Sequence, residues 1–345
     1  MISREITPTM TLNKDTIINE NPNRDKWSEF VFNHPYGNIF QIPETFDVFK
    51  ETPNFDSGII AIENLNKDIL GVLLYTIVHE PGLKSHFSAR SIISGGPLIK
   101  DDDIELTKQI LSAYTKKINK TNIIYTEVRN LFDLKYIHPA FIDSQFKYED
   151  HLTIHMDLTQ SIDQLQNALH RGRASNIKRA IKKNVIVKDI TSKDGINNAF
   201  KLIEETYIRI NLPSPSFELF YNAHNILQNN IKITGAYLDD KLIGCRVYLI
   251  YKSVMFDWYA AIDKAYSNLQ ASDLLPWENM LWGKNNGLKI YDFAGAGKPD
   301  IENSIRDYKL KFGGYLLNLG RYKFIHKPLL FNIGKFGMKF YKHIR

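Results

Sequence analysis

Cysteine is nearly absent from this chain of 345 residues, which contains Cys245 alone. An internal disulfide is therefore excluded, and a lone thiol suits a reducing compartment. Cys245 lies in the apolar segment LIGCRVYLI, which predicts a buried strand residue. No run of 18 apolar residues is present, and the first ten residues lack the apolar core of a secretory signal. We therefore expect a cytoplasmic protein without a transmembrane helix.

Several signatures of enzyme chemistry are also missing. The histidines show no metal-ligand spacing and one cysteine cannot complete a zinc site, so no metal is expected. A phosphate-binding P-loop, a serine nucleophile elbow and a paired-carboxylate signature are not apparent. The hydrophobic fraction of 43% is that of a globular protein, and the length favours two domains over one.

One order of secondary structure occurs twice in the sequence. Residues 58–96 and residues 232–263 each predict an antiparallel meander of three strands with short turns. A helical pattern and then an apolar strand follow each meander, ending in IIYTEV in the first case and in LKIYDF in the second. This repeat predicts an α/β fold with two similar domains. We place them at residues 1–150 and 151–327, followed by a C-terminal helix over residues 328–345.

The order of meander, helix and parallel strand resembles the GNAT acyltransferase fold. The resemblance implies two tandem GNAT-like domains, each with a mixed, mainly antiparallel sheet flanked by helices. GNAT enzymes bind the pyrophosphate of coenzyme A at a glycine-rich turn that opens the helix after the meander, where backbone N–H groups face the phosphates. Here that position reads AYSNLQAS and contains no glycine. The usual cofactor turn is therefore missing, and no bound cofactor is expected.

A more specific resemblance covers most of the chain. The segments HPYGNIFQIPETFDVFK, RGRASNIKRAIKK, EETYIR, YDFAGAG and YKLKFGG, in this order, resemble the Fem family of peptidoglycan-bridge aminoacyltransferases. What the family implies is transfer of an acyl group, typically an aminoacyl group from charged tRNA, to an amine of a cell-wall precursor. The enzyme class implied is therefore an acyltransferase.

The resemblance also implies roles for single residues. Lys309 matches a lysine beside the reacting centre, where an ammonium can stabilise an oxyanion; the alternative is a solvated lysine. Asp257 and Tyr259 are two residues apart on a strand, which predicts that they share one face. Asp257 is the candidate acceptor for the proton of the attacking amine, and Tyr259 the candidate substrate contact. The alternative for both is a structural role.

Two cations and several further residues are candidate substrate contacts. Lys50 and Arg209 match positions that bind the diphosphate of the precursor in the family, although by spacing alone each is a cation on a helix surface. Asp292 lies near the end of an apolar strand and alternatively orients Arg306, while Trp277 is alternatively a core residue. The full set of substrate-binding candidates is Lys50, Arg209, Tyr259, Tyr266, Trp277, Asp292, Arg306 and Phe312.

Two basic segments predict anionic partners. Six cations without an acid among them suit an RNA acceptor stem or anionic lipid headgroups, although a solvated helix is the alternative. The second basic segment is the tail over residues 321–345. Its apolar residues have helical spacing, which favours a helix that lies on an anionic membrane or docks on the protein. The six cations are Arg171, Arg173, Lys178, Arg179, Lys182 and Lys183.

The sequence thus favours an acyltransferase that forms an amide on a cell-envelope precursor, at the inner face of the membrane. The expected donor is aminoacyl-tRNA, or alternatively an acyl-CoA or acyl carrier. Direct attack by the acceptor amine is expected, because no activated cysteine or serine is apparent. One rival is a GNAT-type N-acyltransferase acting on an amino sugar, and another is a binding module without catalysis. The oligomeric state stays open.

Overall fold

A computed structural model describes residues 15–79 and 89–333, which form two β-sheets and the helices packed on them. Within these residues, no helix is both long and apolar enough to span a bilayer. The elements of the first half are β1 (Thr16–Asn19), α1 (Arg24–Asn33), α2 (Pro43–Lys50), β2 (Phe55–Asn64), β3 (Ile69–Val78), β4 (Arg90–Ser94), β5 (Leu98–Ile99), α3 (Ile104–Ile118), β6 (Tyr125–Arg129), α4 (His138–Asp143) and β7 (Lys147–Glu149).

The second half begins with an additional strand and two additional helices, repeats this order without a counterpart of β5, and ends with a further strand; 3₁₀ turns connect some of its elements. Its elements are β8 (Leu152–Asp157), α5 (Ile162–Ala168), α6 (Arg171–Lys182), β9 (Val185–Asp189), α7 (Lys193–Arg209), α8 (Phe217–Leu227), β10 (Ile231–Leu238), β11 (Lys241–Tyr251), β12 (Val254–Ile262), α9 (Ala271–Asn285), β13 (Ile290–Gly295), α10 (Ser304–Leu310), β14 (Tyr315–Asn318) and β15 (Arg321–Ile325).

Local sequence signals set the ends of these helices. Asp103 caps α3, where its side chain accepts a hydrogen bond from the Leu106 N–H at 2.9 Å. Apolar residues then recur on one face of α3, which buries Ile110, Leu111 and Tyr114 against the first sheet. Ser161 and Gln164 form a reciprocal capping box at the start of α5. The helical patterns predicted after the two meanders are confirmed as α3 and α9.

The two sheets have the same strand order and the same directions. The first runs β1-β2-β3-β4-β6-β15-β7, and the second runs β9-β10-β11-β12-β13-β8-β14. In each sheet the parallel pair is the one after the meander, β4 with β6 and β12 with β13. The predicted architecture of two tandem units, each with a mixed, mainly antiparallel sheet, is therefore confirmed.

One strand of the second half, β15, belongs to the first sheet. After β7 in the first sheet, the chain crosses to β8, which pairs with β13 and β14 of the second sheet. After β14, the chain turns through Gly320 and returns as β15, which pairs with β6 and β7 of the first sheet. All strands of the second sheet, β8 to β14, come from the second half of the sequence, whereas the first sheet is completed by β15 of that half. The predicted boundary near residue 150 stays a prediction, since the first half alone does not contain all strands of the first sheet.

A shared hydrophobic core lies between the sheets. It joins Val72 and Leu74 of β3 to Cys245 and Val247 of β11 through the helices α1, α2, α7 and α8. Cys245 has no exposed surface, as predicted. Two further cores lie on the outer faces, one between α3 and the first sheet and one between α9 and the second. The sheets therefore meet face to face, with helices between them over part of the area.

The Gly-Asn-x-x-Gln segment of the first unit closes a gap in its sheet. The Gln41 side chain is fully buried between β3 and β4, where it donates to Leu74 O at 3.2 Å and to Ser94 O at 2.8 Å and accepts from the Leu74 N–H at 2.8 Å. Asn38 donates to Gly95 O at 2.5 Å in the same way. These amides replace strand pairing, so the motif is structural here.

The C-terminal helix is described only at its start. Residues 328–333 are helical, and Phe331 packs against Tyr125 with a ring separation of 5.4 Å. Leu329 and Ile333 remain exposed. The rest of the predicted helix, residues 334–345, lies outside the described residues, so the predicted contact with a membrane stays a prediction.

The pairing of β15 with the first sheet makes a testable prediction about stability. Tyr322 of β15 is buried, stacks on Phe141 at 4.1 Å and donates to or accepts from His138 Nδ1 at 2.8 Å. We expect Tyr322→Ala to lower the free energy of unfolding by about 3–5 kcal/mol, because it removes a large buried ring. Equilibrium unfolding in denaturant measures this change.

The matched control is Tyr315→Ala on β14, where the tyrosine is 48% exposed. We expect that substitution to change the unfolding free energy by about 0.5 kcal/mol or less. Equal effects of the two substitutions would show that β15 does not hold the first sheet together.

Candidate active site

Pairing between β12 and β13 stops halfway along the strands. Val254, Met255 and Phe256 pair with Ile290, Tyr291 and Asp292, and beyond these residues the two described strands are not paired with each other. Both strands nevertheless continue, β12 to Ile262 and β13 to Gly295. We call this gap the β12–β13 opening. Unpaired strand edges expose backbone donors and acceptors that can pair with an extended ligand.

A β-bulge in β12 corrects one prediction from the sequence. Val247 of β11 pairs with Tyr259, but the adjacent Tyr248 pairs with Asp257, so Trp258 is an extra residue on β12. Asp257 therefore points into the core beneath α9, whereas Tyr259 points to the other face, toward Tyr207 and Phe220. The prediction that Asp257 and Tyr259 share one face was wrong, because simple alternation fails at a bulge.

Lys309 lies at the edge of the opening. Its Nζ donates to Phe293 O at 2.6 Å and to Gly295 O at 2.8 Å, which are carbonyl oxygens of β13 beyond the last pair with β12. Burial lowers the pKa of Lys309 to about 8; the Asp257 carboxylate opposes this shift and the Arg246 charge adds to it. Lys309 is therefore a partly desolvated ammonium that replaces missing strand pairing, and not a solvated lysine.

Asp257 belongs to a buried ion pair. Its carboxylate contacts the Arg246 guanidinium and accepts a hydrogen bond from the Tyr291 hydroxyl at 3.1 Å. Burial raises the pKa of Asp257, although the positive charges of Arg246 and Lys309 oppose this shift. Arg246 also donates to the Tyr308 hydroxyl at 3.3 Å, which ties α10 to the second sheet. The partners of the Asp257 carboxylate thus lie on the α9 side of the second sheet and not on the side that faces the first sheet.

Arg173 is not part of a surface, which corrects a second prediction. It is 8% exposed, pairs with Asp273 of α9 and lies over the Tyr308 ring at 4.3 Å. The prediction failed because every third or fourth residue of α6 faces the core, and position 173 falls on that face with Ile177 and Ala180. The other five cations of the cluster are exposed, namely Arg171, Lys178, Arg179, Lys182 and Lys183.

Asp292 shapes the end of β13. Its Oδ1 accepts hydrogen bonds from the Thr153 hydroxyl at 2.9 Å and from the Ala294 N–H at 2.7 Å, and its Oδ2 lies 3.3 Å from His155 Nε2. It does not orient Arg306, which donates instead to Lys298 O and Ile301 O. The contacts of Asp292 are therefore with protein groups, and they hold the backbone of β13 in place beside the Lys309 ammonium.

A cavity of about 830 Å³ lies between the sheets and reaches the opening at Ala294 and Gly295. Its first side is an arginine wall on the first sheet, formed by Arg90, Arg129 and Arg321. Its second side is an aromatic wall on the second unit, formed by Tyr207, Phe217, Trp258 and Tyr259. Large concave spaces with apolar walls and a few charged groups are the usual sites for small ligands.

The remaining predicted contacts do not gather at this cavity. Lys50 is on the surface and pairs with Asp56 at 2.6 Å, and Arg209 is exposed at the end of α7. Tyr266 is covered by Lys241 on a surface 3₁₀ turn. Trp277 and Phe312 are buried in the core beneath α9, so they shape the fold without facing a ligand. Of the substrate-binding candidates, Tyr259 lines the cavity.

Sequence reasoning missed the arginine wall. Arg129 and Arg321 come from strands almost 200 positions apart in sequence, and they are neighbours because β15 returns to the first sheet. Their one local signal is the alternation of charged and apolar residues in YTEVR and RYKFI, which is typical of a strand with one face toward water or a ligand. Arg246 was missed because a charge in LIGCRVYLI gives no hint of its partner.

The corresponding position in the first unit is closed. All five residues of β4, from Arg90 to Ser94, pair with β6, from Tyr125 to Arg129. The Gly95 N–H continues this pairing to Arg129 O at 2.9 Å. Only the second of the two like sheets, as far as the described residues extend, has an opening between its parallel strands.

Comparisons with known proteins agree with this architecture. Residues 171–310 match the family model described as an acetyltransferase (GNAT) domain. The structure of FemX is similar with a TM-score of 0.70 at 14% identity, over 92% of this chain and 99% of that chain. L-PGS from Bacillus licheniformis is similar with a TM-score of 0.55 at 13% identity, over 88% and 92%.

A tandem GNAT protein from the clavulanic acid biosynthesis pathway has a TM-score of 0.57 at 9% identity, over 91% of this chain and 99% of that chain. No curated protein sequence matches this chain. The chain therefore has a Fem-like tandem GNAT fold, as predicted. The acetyltransferase domain match, together with this fold, bears out the predicted class of acyltransferase.

The start of α9 does not fit the pyrophosphate of coenzyme A. Asp273 lies in the first turn of this helix, 1% exposed, paired with Arg173 and accepting from Asn176 Nδ2 at 2.6 Å. This carboxylate already occupies the positive end of the helix and would repel a diphosphate there. The residue before the helix is Gln270 and not a glycine that would allow close approach of a ligand.

The Asp257–Arg246 pair makes the second prediction. We expect Asp257→Asn to lower the free energy of unfolding by about 3–5 kcal/mol, because it leaves the buried Arg246 charge without its partner. Chemical denaturation of the two proteins at neutral pH measures this. The control, Asp56→Asn, breaks an exposed pair with Lys50 and should cost about 1 kcal/mol or less.

If Asp257 is instead the proton acceptor, as the sequence predicted, the same substitution should give a different result. If Asp257→Asn abolishes turnover while the unfolding free energy stays within about 1 kcal/mol of the original, the carboxylate acts on the substrate and not on the fold.

Proposed function

We propose that this protein transfers an aminoacyl group from charged tRNA to an amine of a cell-envelope precursor. The observation that carries the proposal is the β12–β13 opening, which has the Lys309 ammonium on its edge and the end of the large cavity beside it. The likeness to the Fem family in the sequence motifs supports the choice of substrates, and the fold supports the reaction type.

The proposed reaction is direct attack of the acceptor amine on the donor ester. A carbon–nitrogen bond forms at the ester carbonyl, the bond to the tRNA oxygen breaks, and the proton lost by the amine is transferred to that leaving oxygen, which becomes a hydroxyl. The ammonium of Lys309 has three N–H groups, of which two donate to β13 carbonyls, so one is available for the oxyanion. Cys245 is unsuited as a nucleophile, because it is buried and burial raises the pKa of its thiol to about 12.

Two features favour tRNA over coenzyme A as the donor. Asp273 stands where the pyrophosphate of coenzyme A would need backbone N–H groups. The five exposed cations of α6 and its C-terminal end form a positive surface close to α9, which suits the phosphates of an RNA acceptor stem. The rival donors are acyl-CoA and an acyl carrier protein, and the rival acceptor is an amino sugar.

The proposal is tested by product analysis. The protein is incubated with an envelope-precursor extract and with either a pool of charged tRNA or a pool of acyl-CoA, and amide products are identified by mass spectrometry. We expect an aminoacylated product that requires charged tRNA and disappears after ribonuclease treatment. We also expect Lys309→Met to slow the chemical step by about a hundredfold to a thousandfold, since it removes one oxyanion donor.

The control for this substitution is Lys311→Met, because Lys311 is exposed at the end of α10. It should retain the original rate. Product formed from acyl-CoA alone would favour the amino-sugar rival, and equal rates for the two lysine variants would contradict the role of Lys309. A protein that binds precursor but forms no product from any pool would be the binding module without catalysis.

The lowered pKa of Lys309 predicts the pH dependence. The ammonium is the form that donates to an oxyanion, and it is lost as the pH rises through about 8. We therefore expect kcat/KM to fall on the alkaline side with an apparent pKa of about 8. Rates for Lys309→Met should lack this alkaline limb, and an unchanged limb in that variant would assign it to another group.

A further inference from the structure

Arg129 and Arg321 form a cationic subsite at the deep end of the cavity. They are directly opposite each other on β6 and β15, with their side chains on the same face of the first sheet. Glu127 lies two residues before Arg129 and contacts both guanidinium groups, at 2.7 Å from Arg129 Nε and 3.1 Å from Arg321 Nη1. We call these three residues the Arg–Glu–Arg cluster.

Glu127 orients both arginines without using all of their donors. Its contact with Arg129 is through Nε, so the two terminal nitrogens of Arg129 are not part of that contact, and 42% of the side chain is exposed. Both arginines line the cavity, whereas Glu127 is 15% exposed and lies beneath them. The cluster has two positive charges and one negative charge, so it presents a net single positive charge.

This charge and shape suit a carboxylate. A guanidinium binds a carboxylate through two parallel hydrogen bonds, and one carboxylate balances the net charge of the cluster. A diphosphate would bring more negative charge than the cluster can balance, next to Glu127. His151, which also faces this end of the cavity, adds no charge at neutral pH, because burial and the charge of Arg321 lower its pKa to about 4.

The subsite is close to the edge of the β12–β13 opening. Arg321 Nη2 lies 3.6 Å from the position that a Cβ atom on Gly295 would occupy, and Lys309 Nζ lies 2.8 Å from Gly295 O. The two cationic groups therefore flank one residue and are no more than about 10 Å apart. The neutral His151 ring also lies there, with its Nε2 3.1 Å from the same position.

We propose that the Arg–Glu–Arg cluster binds a carboxylate of the acceptor, and that this acceptor is an α-amino carboxylate. The nitrogen and the carboxylate oxygens of such a group are about 3 Å apart. The rest of the distance between the arginines and Lys309 is then spanned by one hydrogen bond from the arginines to the carboxylate and by the approach of the nitrogen to the donor carbonyl. The inference rests on the proposed acyl transfer, since it names the acceptor of that reaction. An amino sugar without an acid group, such as glucosamine, would leave the subsite unused.

The inference is tested by binding, which does not depend on turnover. The probes are both enantiomers of lysine and of lysinamide, which have the same amines and differ in the carboxylate. Affinities are measured by ligand-detected NMR titration. We expect lysine of one configuration to bind about tenfold to a hundredfold more tightly than its amide, as expected for one hydrogen-bonded charge pair.

Variants separate the subsite from general charge. Arg321→Gln and Arg129→Gln should each abolish the preference for lysine over lysinamide. Lys323→Gln is the matched control, because Lys323 lies on the same face of β15 but pairs with Glu149; it should keep the preference. Glu127→Gln should strengthen lysine binding, since it removes the competing anion, whereas a purely structural role for Glu127 predicts no gain.

Three results would overturn the inference. They are equal affinities for lysine and lysinamide, including the absence of binding by both; an unchanged preference in the arginine variants; and displacement of the probes by inorganic phosphate at lower concentration than by lysine, which would make this a phosphate site. If acyl transfer to an amine fails but the carboxylate preference is present, the proposed function is wrong and the subsite stands.

Discussion

The unfinished pairing of β12 with β13 is the constraint on which the rest of this structure depends. Beyond Phe256 and Asp292 the strands are not paired, and the carbonyl groups of Phe293 and Gly295 need another donor. Lys309 is that donor, and its place is secured by α10. The Arg246–Asp257 pair and the Tyr308 hydroxyl fix α10 and β12 on the buried side. An ammonium with a lowered pKa at an open strand edge results from this arrangement.

The return of β15 to the first sheet supplies the second part of the site. Because β15 returns to the first sheet, Arg321 lies beside Arg129 and faces the end of β13 across the cavity. The first unit has lost the corresponding opening, since β4 and β6 pair throughout and Gln41 fills the gap between β3 and β4. The two similar units therefore contribute different parts of the candidate site. The second unit contains the β12–β13 opening with Lys309, and the first unit contributes the arginine wall of the cavity.

Much of the fold could be predicted from the sequence, because meanders, helices and parallel strands are determined by short-range patterns. The repeat of residues 58–129 in 232–293 predicted the meander and the parallel strand of each sheet but not the outer strands β1, β7, β9 and β14. The buried position of Cys245 followed from its apolar neighbours. The site was less predictable. Simple alternation put Asp257 and Tyr259 on one face, but the bulge at Trp258 separates them. Arg173 was assigned to a surface because its partner Asp273 is 100 residues away, and Arg321 lies beside Arg129 only because β15 returns to the first sheet.

The most direct test of the central claim is a crystal structure with a phosphonamidate analogue of the tetrahedral intermediate, in which the amine portion is an α-amino carboxylate. The account predicts a phosphonyl oxygen at about 2.7–3.1 Å from Lys309 Nζ, with the analogue in the β12–β13 opening. The carboxylate should contact Arg129 or Arg321. An analogue bound between the sheets without contact to Lys309, or bound at the closed β4–β6 position of the first unit, would contradict the account.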